Sequence, residues 1–181
     1  QTYFDGKNPD ATKVNLEKFH IELGGNPFDA SFAVSKPISN PTIRGGVNGK
    51  IVLSTLADII PMNDTDLEGT IVSDLTLQGS MAMMEEERYD DFQAKGKVAL
   101  SDFYFSTPTL PAPVHLNSEM VFTPRYLNLK QFAAKIGESD MHFSGKLSNY
   151  IPYALKDGVI RGDFQLTSEN LNANQFMTEE E

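Results

Sequence analysis

The sequence contains no cysteine in its 181 residues. Disulfides and thiolate metal sites are therefore excluded, and cysteine usage says nothing of the redox compartment. Positive charge is scarce as well. Against 25 Asp and Glu stand 15 Lys and Arg, a formal net charge of −10. That balance speaks against nucleic acid as a partner and against electrostatic docking on anionic headgroups. No apolar run reaches the ~18 residues that a membrane-spanning helix needs. The opening stretch from Gln1 is polar, without the basic and apolar regions of a signal peptide. The chain reads as a segment of a larger protein, closed by Glu179, Glu180 and Glu181.

Helical periodicity is also in short supply. Leu56, Ile59 and Ile60 suggest one turn before Pro61, and Tyr150 to Leu155 suggest another. Glu85 to Asp91 read as a short acidic turn or helix. What is abundant is alternation of period two, which turns one face of a strand to apolar material and the other to water. Ala30, Phe32 and Val34 alternate, as do Val114, Leu116, Met120 and Phe122. Leu67, Ile71, Leu75, Leu77, Met81 and Met83 share one phase over an unusually long run. Hydrophobic residues make up 40% of the chain, enough for a core.

Glycines recur within that phase. The pattern apolar–x–Gly–x–apolar appears around Gly49, Gly69, Gly79, Gly96, Gly145 and Gly162. Glycine weakens a strand, so its recurrence there marks bends, bulges or close approach. A packed sandwich and a sheet curved into a trough both accommodate it. A second repeat matches Leu127–Phe132 with Leu171–Phe176, 44 residues on. The expectation is a mostly β fold: a long, curved, largely antiparallel sheet of repeated amphipathic strands with a few short helical turns. Residues 1–181 form a single β-rich segment, with Pro108, Pro111 and Pro113 dividing two stacked sub-repeats near 107–113.

Catalytic patterns are missing. His20, His115 and His142 all lie in alternating strand sequence, without the i, i+4 spacing of a zinc helix. Gly45-Gly46-Val47-Asn48-Gly49 leads into a strand and so lacks the helix N-terminus of a phosphate loop. Asp64, Asp66 and Glu68 offer oxygen donors in a polar turn, without the spacing of a calcium loop. Glu85, Glu86, Glu87, Asp90 and Asp91 read as a solvated charge run. No enzyme, metal or cofactor is expected.

The order of several segments resembles a known family. Asn26-Pro27-Phe28 precedes a strand, followed by Pro37-Ile38-Ser39-Asn40-Pro41 and Gly49-Lys50-Ile51-Val52-Leu53. Gly137-Glu138-Ser139-Asp140, Gly145 to Tyr150 and Gly162 to Met177 come later. From about Asn26 onward this resembles the C-terminal region of AsmA-like proteins of Bacteroidetes-type bacteria. The resemblance implies a periplasmic β region in a parent anchored in the inner membrane, linked to outer-membrane biogenesis and related to bridge-like lipid-transfer proteins. It carries no catalytic residues. The expected function is an apolar groove that holds or transfers phospholipid or other lipid, together with other β units of the parent chain. The expected lining is Val47, Ile51, Leu53, Leu67, Ile71, Leu75, Leu77, Val98, Leu100, Phe143, Leu147, Phe164 and Leu166. The alternative is a non-catalytic β-sandwich serving as a structural or protein-interaction module.

Overall fold

In the computed structural model, residues 2–56, 60, 62, 64–155, 158–172 and 174 are described. Of these, 61% lie in strands and 12% in helices. The strands are β1 (Thr2–Tyr3), β2 (Lys13–Leu23), β3 (Asn26–Ser35), β4 (Thr42–Val52) and β5 (Asp66–Ser80). They continue as β6 (Gln93–Ser106), β7 (Val114–Phe122), β8 (Tyr126–Ile136), β9 (Ser139–Ser148) and β10 (Arg161–Thr167). Two short helices, α1 (Met81–Glu85) and α2 (Tyr150–Leu155), follow β5 and β9. Each strand pairs antiparallel with its neighbour in sequence, giving one sheet in the order β1 to β10. It does not close.

The pairing register sorts the side chains cleanly between two faces. One row across the sheet reads Phe28, Gly49, Ser73, Val98, Met120, Leu129, Gly145 and Phe164. The next row reads Ala30, Val47, Leu75, Gly96, Phe122, Leu127, Leu147 and Gly162. On the opposite face a row reads Asp29, Asn48, Asp74, Lys97, Val121, Asn128, Lys146 and Asp163. The local period-two pattern of each strand therefore becomes a sheet-wide division, because antiparallel pairing keeps partners on the same face.

Among the described residues, no second layer covers the apolar face. Among the described residues only eight hydrophobic side chains are buried. The accessible area is 11939 Å² for 20.1 kDa, against about 8,700 Å² for a compact chain of that mass by area scaling. A sandwich about 10 Å thick would bury the facing rows; here Ile71, Leu75, Val98 and Leu129 stay half-buried. The apolar face is nonetheless the more shielded. Val72, on the outer face of β5, is 40% exposed, while its neighbour Ile71 on the apolar face is half-buried. With no covering layer, that difference means that side chains crowd toward one another on the apolar side, as they do inside a curved sheet.

The curvature has visible causes. Register shifts break the ladders between Leu16 and Phe19, Glu68 and Thr70, Leu100 and Phe103, Glu119 and Met120, and Leu129 and Phe132. Each bulge bends its strand and increases twist. At the β6 bulge Asp102 adopts φ 51°, and its N–H donates to Asn117 Oδ1 at 2.8 Å. The shifts at Leu16/Phe19, Glu119/Met120 and Leu129/Phe132 lie beside the two glycine-bearing rows.

Among the described residues, a compact core sits along one rim. Met81, Met84, Phe92, Ala94 and Ile151 are buried together, with Ile43, Leu77, Tyr89 and Tyr150 packed around them. Leu67 to Met83 does not form one continuous strand: β5 ends at Ser80, and Met81 and Met83 belong to α1. Met-Ala-Met-Met-Glu is strong helix former, and its Met81 and Met84 at i, i+3 share the buried face. Ser80 makes no side-chain cap; instead Pro41 O accepts from Met81 N–H, and Asn40 Oδ1 accepts from Ala82 N–H at 2.9 Å. The β3–β4 loop thus supplies the cap that helix starts require. Across the rim, Tyr150 Oη donates to Thr123 O at 2.8 Å, and burial pushes this phenol up to about 12.

The remaining expected features fall as follows. The proline-marked segment 107–113 is the loop that joins β6 to β7, which pair directly. Helical structure near Leu56 is a 3-10 turn over Leu53–Leu56; Ala57, Asp58, Ile59 and Pro61 lie outside the described residues, and Ile60 is exposed. The acidic run contributes only Glu85 to α1 and continues as turns. Gly45 to Gly49 lie within β4 rather than ahead of a strand. Of the 44-residue repeat, Leu127 to Phe132 is β8, whereas Leu171 and Asn172 lie outside any strand and Ala173, Gln175 and Phe176 outside the described residues.

After β10 the chain folds back over the β8–β9 turn. Asp140 accepts from the N–H groups of Glu169 and Asn170, at 3.1 and 2.7 Å, and Ser139 Oγ accepts from Asn172 N–H at 2.9 Å. These bonds hold the Asp140 carboxyl below the usual range. A carboxyl depressed in the folded state stabilises above its unfolded pKa, about 4, and that contribution disappears as pH falls through the folded value. Acidification below about pH 4 is expected to release residues 169–172 from the turn. Amide hydrogen exchange at Glu169 and Asn170 checks it: protection lost on acidification in the native chain, and absent at neutral pH in Asp140→Ala.

Candidate functional site: the apolar face

The expected lining residues largely come together. Val47, Ile51, Leu67, Ile71, Leu75, Leu77, Val98, Leu100, Phe143, Leu147, Phe164 and Leu166 all occupy the apolar face. They differ in setting. Leu53 lies in the 3-10 turn and is buried at 7%, so it packs rather than lines an open floor. Leu77 lies against the rim core. Phe164 and Leu166, at 46% and 52% exposure, sit on the edge strand β10.

Sequence reasoning missed much of the floor. Phe28, Met120, Phe122, Leu127, Leu129 and Phe132 share the same rows. Their alternation was as legible as that of the residues singled out. What hid them was the emphasis on glycine-flanked positions and the bulges of β8, which shift the phase between Leu129 and Phe132.

Small residues and aromatic rings fit together on this face. A Cβ on Gly79 would strike the ring of Phe92, and one on Gly162 would strike the ring of Phe164. A Cβ on Gly145 would also meet Phe164, at 2.7 Å from Cδ1. The rings lie down over bare backbone instead of standing into the trough, which lowers and smooths the floor. Phe132 and Phe143 meet edge to face at 5.4 Å on the neighbouring row. Around Gly45 the floor dips into an apolar hollow of about 90 Å³ between Phe32, Ile43, Val47, Leu75 and Leu77.

The outer face offers a larger depression, about 440 Å³, where Gly46 leaves a gap between Asn15, Glu17, Ser31, Arg44, Thr76 and Gln78. Its ionisable groups, Glu17 and Arg44, are both exposed. The open dish lacks the enclosure and converging buried groups of a small-molecule site, so the apolar face is the better candidate.

The three histidines sit on the outer face. His20 Nδ1 meets Asp29 Oδ1 at 2.8 Å with both side chains exposed. His142 lies 3.6 Å from Asp140, and the ring of His115 packs at 5.1 Å edge-on to Tyr104. Among the described residues, no three His, Asp or Glu side chains converge as metal ligands would, and no helix is long and apolar enough to cross a membrane. Comparison with protein-family models, with curated proteins and with solved structures gives no match for this chain.

Proposed function

We propose that this chain is a periplasmic segment of an AsmA-like envelope protein, and that its apolar face holds acyl chains of phospholipid or another lipid during outer-membrane biogenesis. The observation that carries this reading is a sheet-wide apolar floor that no second layer covers among the described residues. Exposing an acyl chain to water costs about 0.8 kcal/mol per methylene, so a sixteen-carbon chain costs roughly 12 kcal/mol. A continuous apolar trough offsets that cost without any chemistry. The parent would be anchored in the inner membrane, with other β units adding to the same groove.

The test uses substitutions on the floor and outside it. Ile71→Asp places a carboxylate where solvent and lipid reach, so it stays hydrated and the fold survives. Thr70→Asp, on the outer face of the same strand, is the control. Native mass spectrometry after incubation with phospholipid vesicles is expected to show bound lipid in the native chain and in Thr70→Asp, and a several-fold loss in Ile71→Asp. Unfolding of Ile71→Asp alone, or equal lipid occupancy in all three, argues against an open lipid trough.

A further inference from the structure

The hollow at Gly45 is closed on one side and open on the other. Ile43 and Leu77 form its wall toward α1, and both are packed against the buried rim core of Met81, Met84, Phe92 and Ile151. At its base is the bare backbone of Gly45, where a Cβ would meet Ser31 O at 2.6 Å. Away from the rim, Val47 and Leu75 pair with each other and lead into the open floor. Phe32, 48% exposed, stands beside the hollow on β3.

Chemistry and size restrict what can enter. Its five lining side chains are apolar, while Ser31 and Arg44 alternate to the outer face. A buried water needs about 2–4 polar partners, and a charged headgroup here would lose its hydration unpaired. An apolar cavity of about 150 Å³ admits benzene, so a hollow of about 90 Å³ is small for a ring. A slender apolar end fits. The middle of a long chain would have to enter and turn back out within the same space, whereas an end need only enter. We propose that this hollow seats the methyl end of an acyl chain, so that lipid lies on the floor with its headgroup away from the α1 rim. The inference rests on the lipid-holding reading of the apolar face and adds a direction to it.

The sequence has no tryptophan, so Phe32→Trp introduces a single indole beside the hollow. The intact chain carrying it is loaded from vesicles of phospholipid brominated near either the methyl end or the carboxyl end of one acyl chain, then freed of vesicles. Bromine quenches indole fluorescence only at close contact. Quenching by the methyl-end label is expected to exceed that by the carboxyl-end label several-fold. Adding Val47→Phe fills the hollow from the floor and is expected to abolish that difference, with the far-UV spectrum unchanged and lipid still bound by native mass spectrometry. Equal quenching by the two labels, stronger quenching by the carboxyl-end label, or a difference that survives Val47→Phe overturns the seat while bound lipid leaves the wider reading standing. Native chain without bound lipid overturns both, and mass spectrometry tells the two failures apart.

Discussion

Phe92→Ala is expected to destabilise the chain by about 3–5 kcal/mol, the usual cost of deleting a fully buried aromatic ring. Phe92 is 1% exposed and sits at the centre of the rim core with Met81, Met84, Ala94 and Ile151. Its ring also covers Gly79, whose bare backbone has no side chain to fill the space left behind. Leu75→Ala, on the open floor, is expected to cost only about 1–2 kcal/mol, because the half-buried leucine gives up only part of a full burial term. Urea denaturation of the two variants measures the difference. Similar losses would mean that the floor is as tightly packed as the rim, contrary to a trough. Against a typical total of about 5–15 kcal/mol, the Phe92 variant is expected to lose a large share of its stability.

Gly96→Ala is the second large effect. Gly96 has φ +137°, a region that residues with a Cβ rarely adopt, and an added Cβ would collide with the carbonyl oxygen of Asp74 and approach Leu75 Cα to 2.8 Å. Backbone strain of about 1–3 kcal/mol and a clash with backbone, which cannot swing away, act together. A loss of about 2–6 kcal/mol is expected from these terms. Gly46→Ala, in the same sheet but without positive φ and with its nearest neighbour at 3.1 Å, is expected to cost about 1 kcal/mol or less. Thermal or chemical denaturation separates them, and equal midpoints would mean that the glycine at position 96 is not what permits the bend.

Much of the fold was legible because its signals are local. Alternation at Ala30, Phe32 and Val34 needs no partner to declare a two-faced strand, and the lack of helical period limits helices to short turns. Tyr150 to Leu155 read correctly as a helix, since Pro152 falls early enough to spare an intrahelical bond. Met81 and Met83 were misassigned to the strand, because their phase continued that of Leu77. Tertiary packing against Phe92 and Ile151 decides in favour of helix.

The sequence by itself determined that this chain makes amphipathic β-strands, which side of each is apolar, and where glycine thins that side. Those are properties of neighbours along the chain, set by the period of the strand and the missing Cβ. Only the tertiary structure decided that the strands pair in sequence order as a single open sheet, that Gly49, Ser73 and Gly145 fall on one row beside the bulges, and that α1 and α2 gather at one rim. A sandwich and a trough share the same alternation. They differ in whether a second layer lies about 10 Å away, a relation between residues distant in sequence on which the period of a strand carries no information.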